Sequence, residues 1–303
     1  MRELRRVKKI LKSKPTIEGA GVYLNRAFGY HETSLLDPFL LLDDFRSDDP
    51  SRFLPGFPWH PHRGIETITY MLRGEVKHGD SLGNKGVIYP GDVQWMTAGS
   101  GIIHQEMPKG DKDGFMGGFQ LWANLPAIEK MTDPKYRDVK DERIPAIITN
   151  EGVRIRIISG QVNGVKGPVN DIAIDPEYLD VTVPPKSLFK HGIRKNHTVF
   201  AYIIEGSACF DDMLSEGYKI ESTSYFDFER KKSIGNGHVI IYSDGEEIEV
   251  KTAVDHVRFL LISGMPLKEP IAWYGPIVMN TEEELNVAFE EYRKGSFIKK
   301  RRN

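Results

Sequence analysis

Pro58-Trp59-His60-Pro61-His62-Arg63-Gly64-Ile65-Glu66 is answered further along the chain by Gly101-Ile102-Ile103-His104-Gln105-Glu106. The two bursts hold three of the nine histidines. In an extended strand, side chains two apart share a face. His60 and His62 therefore point one way, and so do His104 and Glu106. If the pairs stand on neighbouring strands, four metal-type ligands converge on one point. Extended structure is what the next residues favour. Glu66-Thr67-Ile68-Thr69-Tyr70-Met71-Leu72-Arg73-Gly74 is β-branched and aromatic, and stops on glycine.

Outward from that strand the pattern repeats. An apolar run, Leu36 to Phe45, precedes a loop-like stretch over 46–58 rich in Asp, Pro, Ser and Gly. Gly83-Asn84-Lys85-Gly86 and Pro90-Gly91-Asp92 are turn residues around a strand at Val87 to Tyr89. Val93 to Thr97 and Phe115 to Trp122 read as further strands. From Pro126 to Pro145 the chain turns charged and proline-bearing, and we read it as a link between halves. Strands resume at Val153. Short strands between glycine turns predict an all-β barrel or sandwich. Tyr70-Met71-Leu72-Arg73-Gly74 matches Tyr202-Ile203-Ile204-Glu205-Gly206, and Gly83 to Tyr89 resembles Gly235 to Tyr242, as two copies of one barrel would. In that register His60, His62 and Glu66 fall opposite Gly192, Arg194 and Thr198, so the second copy lacks the ligand set. The expected domains are 1–140, which binds metal, and 141–303, which does not and which carries a C-terminal helix. Thr281 followed by Glu282, Glu283 and Glu284 is a capping box, and Gly295 ends that helix. The basic tail Lys299-Lys300-Arg301-Arg302 reads as a solvated terminus.

Composition narrows the classes. Lys and Arg total 41 against 43 Asp and Glu, which argues against a dedicated nucleic-acid binder. A single cysteine, Cys209, excludes an internal disulfide framework and suits a reducing compartment. No apolar run approaches a membrane span of about 18–20 residues. We expect a soluble, cytoplasmic protein with no membrane partner.

Imidazole and carboxylate together suit iron, manganese, nickel, copper or zinc. Three histidines and one glutamate in an octahedral shell leave two adjacent positions for water, dioxygen or substrate. With no cysteine involved, a closed structural zinc site is disfavoured. Iron(II) oxygen chemistry or Lewis-acid catalysis fits better. Spacing alone leaves Glu66 and Glu106 both open as the carboxylate, because Glu66 shares a face with His62 unless Gly64 introduces a bulge. His78 and His31 lie outside both bursts and read as a satisfied polar or surface histidine each. Trp59, Trp95, Met96 and Phe53 read as core before pocket wall. For Gln94 neither the site nor solvent is favoured. Gly99 and Gly101 fit a tight turn presenting His104.

His60-Pro61-His62-x3-Glu66-x7-Gly74 is similar to the first cupin motif, and Gly101-x2-His104 to the second. The surrounding text resembles the pirin family more closely, in His60 to Thr67, Pro90 to Gly99, Gly101 to Pro108 and Glu269 to Thr281. The resemblance spans nearly the whole chain. It implies two tandem cupin (jelly-roll) β-barrels, a bicupin, with one metal in the N-terminal barrel. It places the ligands on His60, His62, His104 and Glu106, and leaves Glu66 as a residue supporting the ligands from behind or simply a strand residue. It implies iron(II) first, with manganese, nickel, copper or zinc as alternatives. The activity implied is a dioxygenase of the quercetin 2,3-dioxygenase type, opening a small flavonol-like aromatic, with Glu106 also a base toward the flavonol hydroxyl. The alternative it carries is a non-enzymatic regulator, a transcriptional co-regulator or enzyme-binding protein with a protein partner. A third reading is a metal that serves stability alone.

Overall fold

The computed structural model describes residues 2–211 and 233–299. The chain is mostly β-strand with a helix near its C-terminus, as the patterning predicts. It divides into two compact units: Met1–Lys14 with Glu142–Pro266, and Pro15–Asp141 with Leu267–Asn303. This differs from the expected domains at both ends. The first strand, Val7–Lys12, belongs with the later residues because it pairs antiparallel with His238–Tyr242. The C-terminal helix, Glu282–Arg293, belongs with the earlier ones, where Leu285 and Ala288 bury against Ala272, Ile277 and Phe297.

In the unit built on residues 142–266, one sheet runs Val7–Lys12, His238–Tyr242, Thr198–Ala208, Val257–Gly264, Glu177–Val183, Arg154–Ser159 and Ala146–Ile148. Ile155, Leu179, Val181, Ala201, Phe259 and Leu261 make the core on one face, alternating along each strand, and Tyr178, Tyr202, Leu260 and Ile262 between them are buried as well.

In the unit built on residues 15–141, a seven-stranded sheet runs Lys135–Val139, Val93–Thr97, Ile65–Arg73, Gly117–Asn124, Phe39–Asp44, Val22–Phe28 and Lys14–Glu18. Lys135–Val139 lies inside the stretch read from sequence as a linker. It is instead an edge strand on Val93–Thr97, and alternating charge is a usual way to protect such an edge. A second sheet runs Phe57–His62, Ile102–Lys109, Glu75–Asp80 and Lys85–Ile88. Phe57–His62 is necessarily an edge strand there, since Pro58 and Pro61 cannot donate to a ladder on both sides.

Arg63 and Gly64 alone carry the chain from the small sheet to Ile65 in the large one. Gly64 sits at φ +77, where a Cβ would lie 1.9 Å from the Val278 carbonyl oxygen. Lys130 reaches the same corner, fully buried, donating to Gly64 O, Asn124 Oδ1 and Val278 O at 2.9, 2.7 and 3.0 Å. Arg63 donates to Ser100 O and Phe297 O and pairs with Glu291 at 2.8 Å. Two buried cations thus tie this corner to the C-terminal segment. Of the basic tail, Lys299 pairs with Glu291, and residues 300–302 lie outside the described residues. Among the described residues no helix is long and apolar enough to cross a membrane.

Candidate metal centre

Strand register brings the histidines together. His60 pairs directly with His104, and Ile102 with His62, along the antiparallel contact of Phe57–His62 with Ile102–Lys109. Residues directly opposite have Cβ atoms about 4.5–5.5 Å apart, close enough for imidazoles to meet. The ligand-type nitrogens of His60, His62 and His104 all lie within 4.8 Å of one another. The register then shifts, and Glu106 pairs with Phe57. The bulge leaves Trp59 half-exposed and keeps His60 on the inner face.

Hydrogen bonds fix the tautomers of two rings. His60 Nδ1 lies 2.8 Å from Pro58 O, and His62 Nδ1 lies 3.1 Å from Pro276 O. A carbonyl only accepts, so each Nδ1 carries the proton and each Nε2 presents a lone pair. The two Nε2 atoms face each other at 3.1 Å. With no proton between them that contact is repulsive unless a cation joins it. A metal holding both at about 2.0–2.1 Å and a right angle would space them about 3 Å apart. His104 is fully buried, and neither of its ring nitrogens has a hydrogen-bond partner. Such orphaned nitrogens need an explanation, and a metal supplies one. The triad fits a divalent cation.

Burial, aided by the neighbouring histidines, holds His62 and His104 well below the ordinary 6.5. Both rings therefore stay neutral and ready to ligate. Below 6.5 the unfolded chain takes up these protons while the folded one does not, so stability is full above 6.5 and falls with acidification. Urea melts of the metal-free protein should show lower stability at about pH 5 than at about pH 7, and His104→Phe should reduce that difference.

The two glutamates part company. Glu66 is buried away from the triad, with one oxygen taking the Trp95 indole N–H and the other the Thr97 hydroxyl at 2.8 Å. Burial raises its carboxyl above the ordinary value, against those two donors. Glu106 lies on the His104 strand, two residues on. Its Oε1 is 3.1 Å from Thr69 Oγ1, which is in turn 2.5 Å from Gln120 Oε1. Thr69 has one proton, so it serves Glu106 when the Gln120 amide turns an N–H toward it.

His60, His62 and Glu106 open onto a cavity of about 660 Å³, walled mainly by apolar side chains such as Leu41, Phe45 and Phe53. That size and character suit a small aromatic ligand. Trp122 meets His62 edge-on at 4.9 Å, and Trp273 leans on Trp122 at 6.1 Å. Trp59 and Phe53 line the cavity, whereas Trp95 and Met96 are core. Gln94 is buried and donates to the Tyr136 hydroxyl at 3.0 Å. His31 is exposed. His78 is fully buried and neither of its nitrogens makes a hydrogen bond, the carboxylate of Asp80 standing 3.7 Å from Nε2, so the surface or satisfied reading fails for it. Pro276 and Trp273 lie in the Glu269 to Thr281 run that carries the resemblance, but sequence does not assign them to the site, because no local signal ties Pro276 to a ring 214 positions away.

The profile of the pirin family matches residues 21–123, and that of the pirin C-terminal cupin domain matches residues 178–298. A pirin-like protein of Caulobacter vibrioides is 40% identical over 97% of this chain and 99% of its own. The chain belongs to the pirin family. Another relative, from Pseudomonas aeruginosa, bears the name "Putative quercetin 2,3-dioxygenase" and is 40% identical over 93% of this chain and 94% of its own. Among solved structures, a quercetin 2,3-dioxygenase from Acinetobacter baumannii superposes with a TM-score of 0.84 at 31% identity, covering 97% of this pirin and 98% of that chain. The fold is accordingly that of the cupins, and the histidine triad falls in the part matched by the first pirin profile.

Proposed function

We propose that this pirin is an iron(II)-dependent dioxygenase that opens a flavonol-like ring, with His60, His62, His104 and Glu106 as the metal ligands. The observation that carries the reading is the pair of facing Nε2 lone pairs at 3.1 Å, set at one side of the apolar cavity. The names of the Pseudomonas and Acinetobacter relatives support the substrate class. The bound ion would supply Lewis acidity and a redox-active centre, while the electrons that reduce dioxygen come from the flavonol enolate itself. The chain's own residues do the rest. The apolar walls take up the fused rings and expel water from around the reacting carbons. Glu106, besides its place in the ligand set, accepts the proton of the flavonol hydroxyl on its carboxylate, leaving an enolate. Trp122 holds the His62 ring against rotation, and the Pro276 carbonyl holds its tautomer.

Anaerobic reconstitution with iron(II), followed by quercetin and then oxygen, tests this directly. We expect one dioxygen consumed and one carbon monoxide released per flavonol opened. Full metal occupancy without oxygen uptake would overturn the dioxygenase reading and favour a regulatory role.

A further inference from the structure

His78 stands on Glu75–Asp80, in register with Glu106, while Asp80 stands opposite His104. Residues two apart on each strand share a face, so His78, Asp80, His104 and Glu106 all project to one side of the small sheet. His78 and Asp80 have no exposed side-chain surface. The His78 ring stacks on Tyr136 at 5.0 Å and lies 5.4 Å from the His104 ring. It is absent from the lining of the cavity, so substrate does not meet it. A phenyl ring would pack there as well. Instead the position holds two buried nitrogens, neither with a hydrogen-bond partner. Native proteins rarely leave such groups unmet without a use for them.

Asp80 settles one of the two. It accepts from Leu82 N and Asn84 N at Oδ1, each at 2.9 Å, and from Asn84 Nδ2 at Oδ2, at 2.7 Å. Every named contact is a donor, so Asp80 is a carboxylate. His78 Nε2 faces its Oδ2 at 3.7 Å, somewhat beyond hydrogen-bond length. The nitrogen facing an acceptor is the one that carries hydrogen, which leaves the other as a lone pair. His104 has the complementary need. Once one of its nitrogens turns to a metal, the other is a buried N–H that must donate to something. Contacts of this kind are often long in the empty site and tighten on loading.

We propose that His78 is a positioning residue for the metal centre, its Nε2–H held by Asp80 and its Nδ1 accepting the ring N–H of His104. The resulting carboxylate–histidine–histidine line selects which His104 nitrogen faces the cavity, and makes that ring a stronger ligand. The inference rests on the metal reading above. It adds a fourth histidine, one that never touches metal or substrate.

Cobalt(II) is the probe, read by its visible absorption and by titration. Outer partners of metal-bound histidines contribute roughly 10–100-fold in affinity. His78→Phe should weaken cobalt binding by about that factor and shift the absorption bands, while the metal-free melting temperature stays level or rises. His78→Asn, which restores an acceptor near the Nδ1 position, should recover part of the affinity. In the zinc-loaded parent, nitrogen NMR of labelled histidine should show His78 protonated at Nε2 and a slowly exchanging N–H on His104. Affinity in His78→Phe within about two-fold of the parent, with unchanged bands, overturns the inference while leaving the metal site intact. So does a His78 protonated at Nδ1, whether or not the variants fold. A parent that binds no cobalt overturns both this inference and the reading beneath it.

Discussion

Glu106→Ala should lower metal affinity by more than about 100-fold, whereas Glu66→Ala should leave it within a few-fold of the parent. The contrast follows from where the two carboxylates go. Glu66 has both oxygens committed, to Trp95 and to Thr97, on the strand pairing of Ile65–Arg73 with Val93–Thr97. Removing it strands two buried donors and costs stability of about 1–3 kcal/mol for each group left unmet. Glu106 shares a strand face with His104 and opens on the cavity with His60 and His62. Loss of a proposed ligand should exceed the roughly 10–100-fold that supporting residues contribute. Elemental analysis after dialysis reads the first quantity. Thermal melts with excess metal read the second, because a ligand that binds only the folded state raises the midpoint in proportion to its affinity. Full metal retention in Glu106→Ala would remove it from the ligand set.

Gly64→Ala should be the most destabilising small substitution near the site, by about 3–5 kcal/mol. A left-handed alanine alone costs roughly 1–2 kcal/mol. The added methyl would also lie 1.9 Å from the Val278 carbonyl oxygen, a backbone atom that cannot swing aside. Val278 is held by its own N–H to Arg63 O at 3.1 Å, and its carbonyl takes the Lys130 ammonium. Relief therefore has to come from the turn, and the turn carries His62. We expect the melting midpoint to fall by roughly 10 °C, taking about 2–4 °C per kcal/mol for a unit of this size, together with weakened metal uptake. A variant that melts normally would show that the corner can relax without moving the histidine strand.

The strand that opens onto this corner was legible because its signal is local. Ile65–Arg73 announces itself by β-branched residues and a glycine stop, and Val93–Thr97 by its flanking turn. The triad was legible for the same reason, since alternation in a strand turns spacing into direction. What failed was whatever depends on distant pairing. Lys135–Val139 looks like a linker because an edge strand carries charge on both sides. His78 looks like an isolated histidine because its partners, Asp80 apart, come from other strands. The C-terminal residues look like part of the second half because chain order is the only guide sequence offers to their placement. Spacing also left Glu66 and Glu106 level, and their separate hydrogen bonds are visible only in three dimensions.

Residues 267–299 leave the ribosome after the whole of 142–266 has been made, yet they complete the unit that residues 15–141 began. Until then the His62 ring has no carbonyl at Pro276 to fix its proton, and Lys130 and Arg63 are buried cations short of their acceptors. The nascent first barrel is thus a lock still missing its last part. Metal loading then favours the chain that has reached these residues, and a polypeptide interrupted at residue 266 should take up divalent metal roughly 10–100-fold more weakly than the full chain.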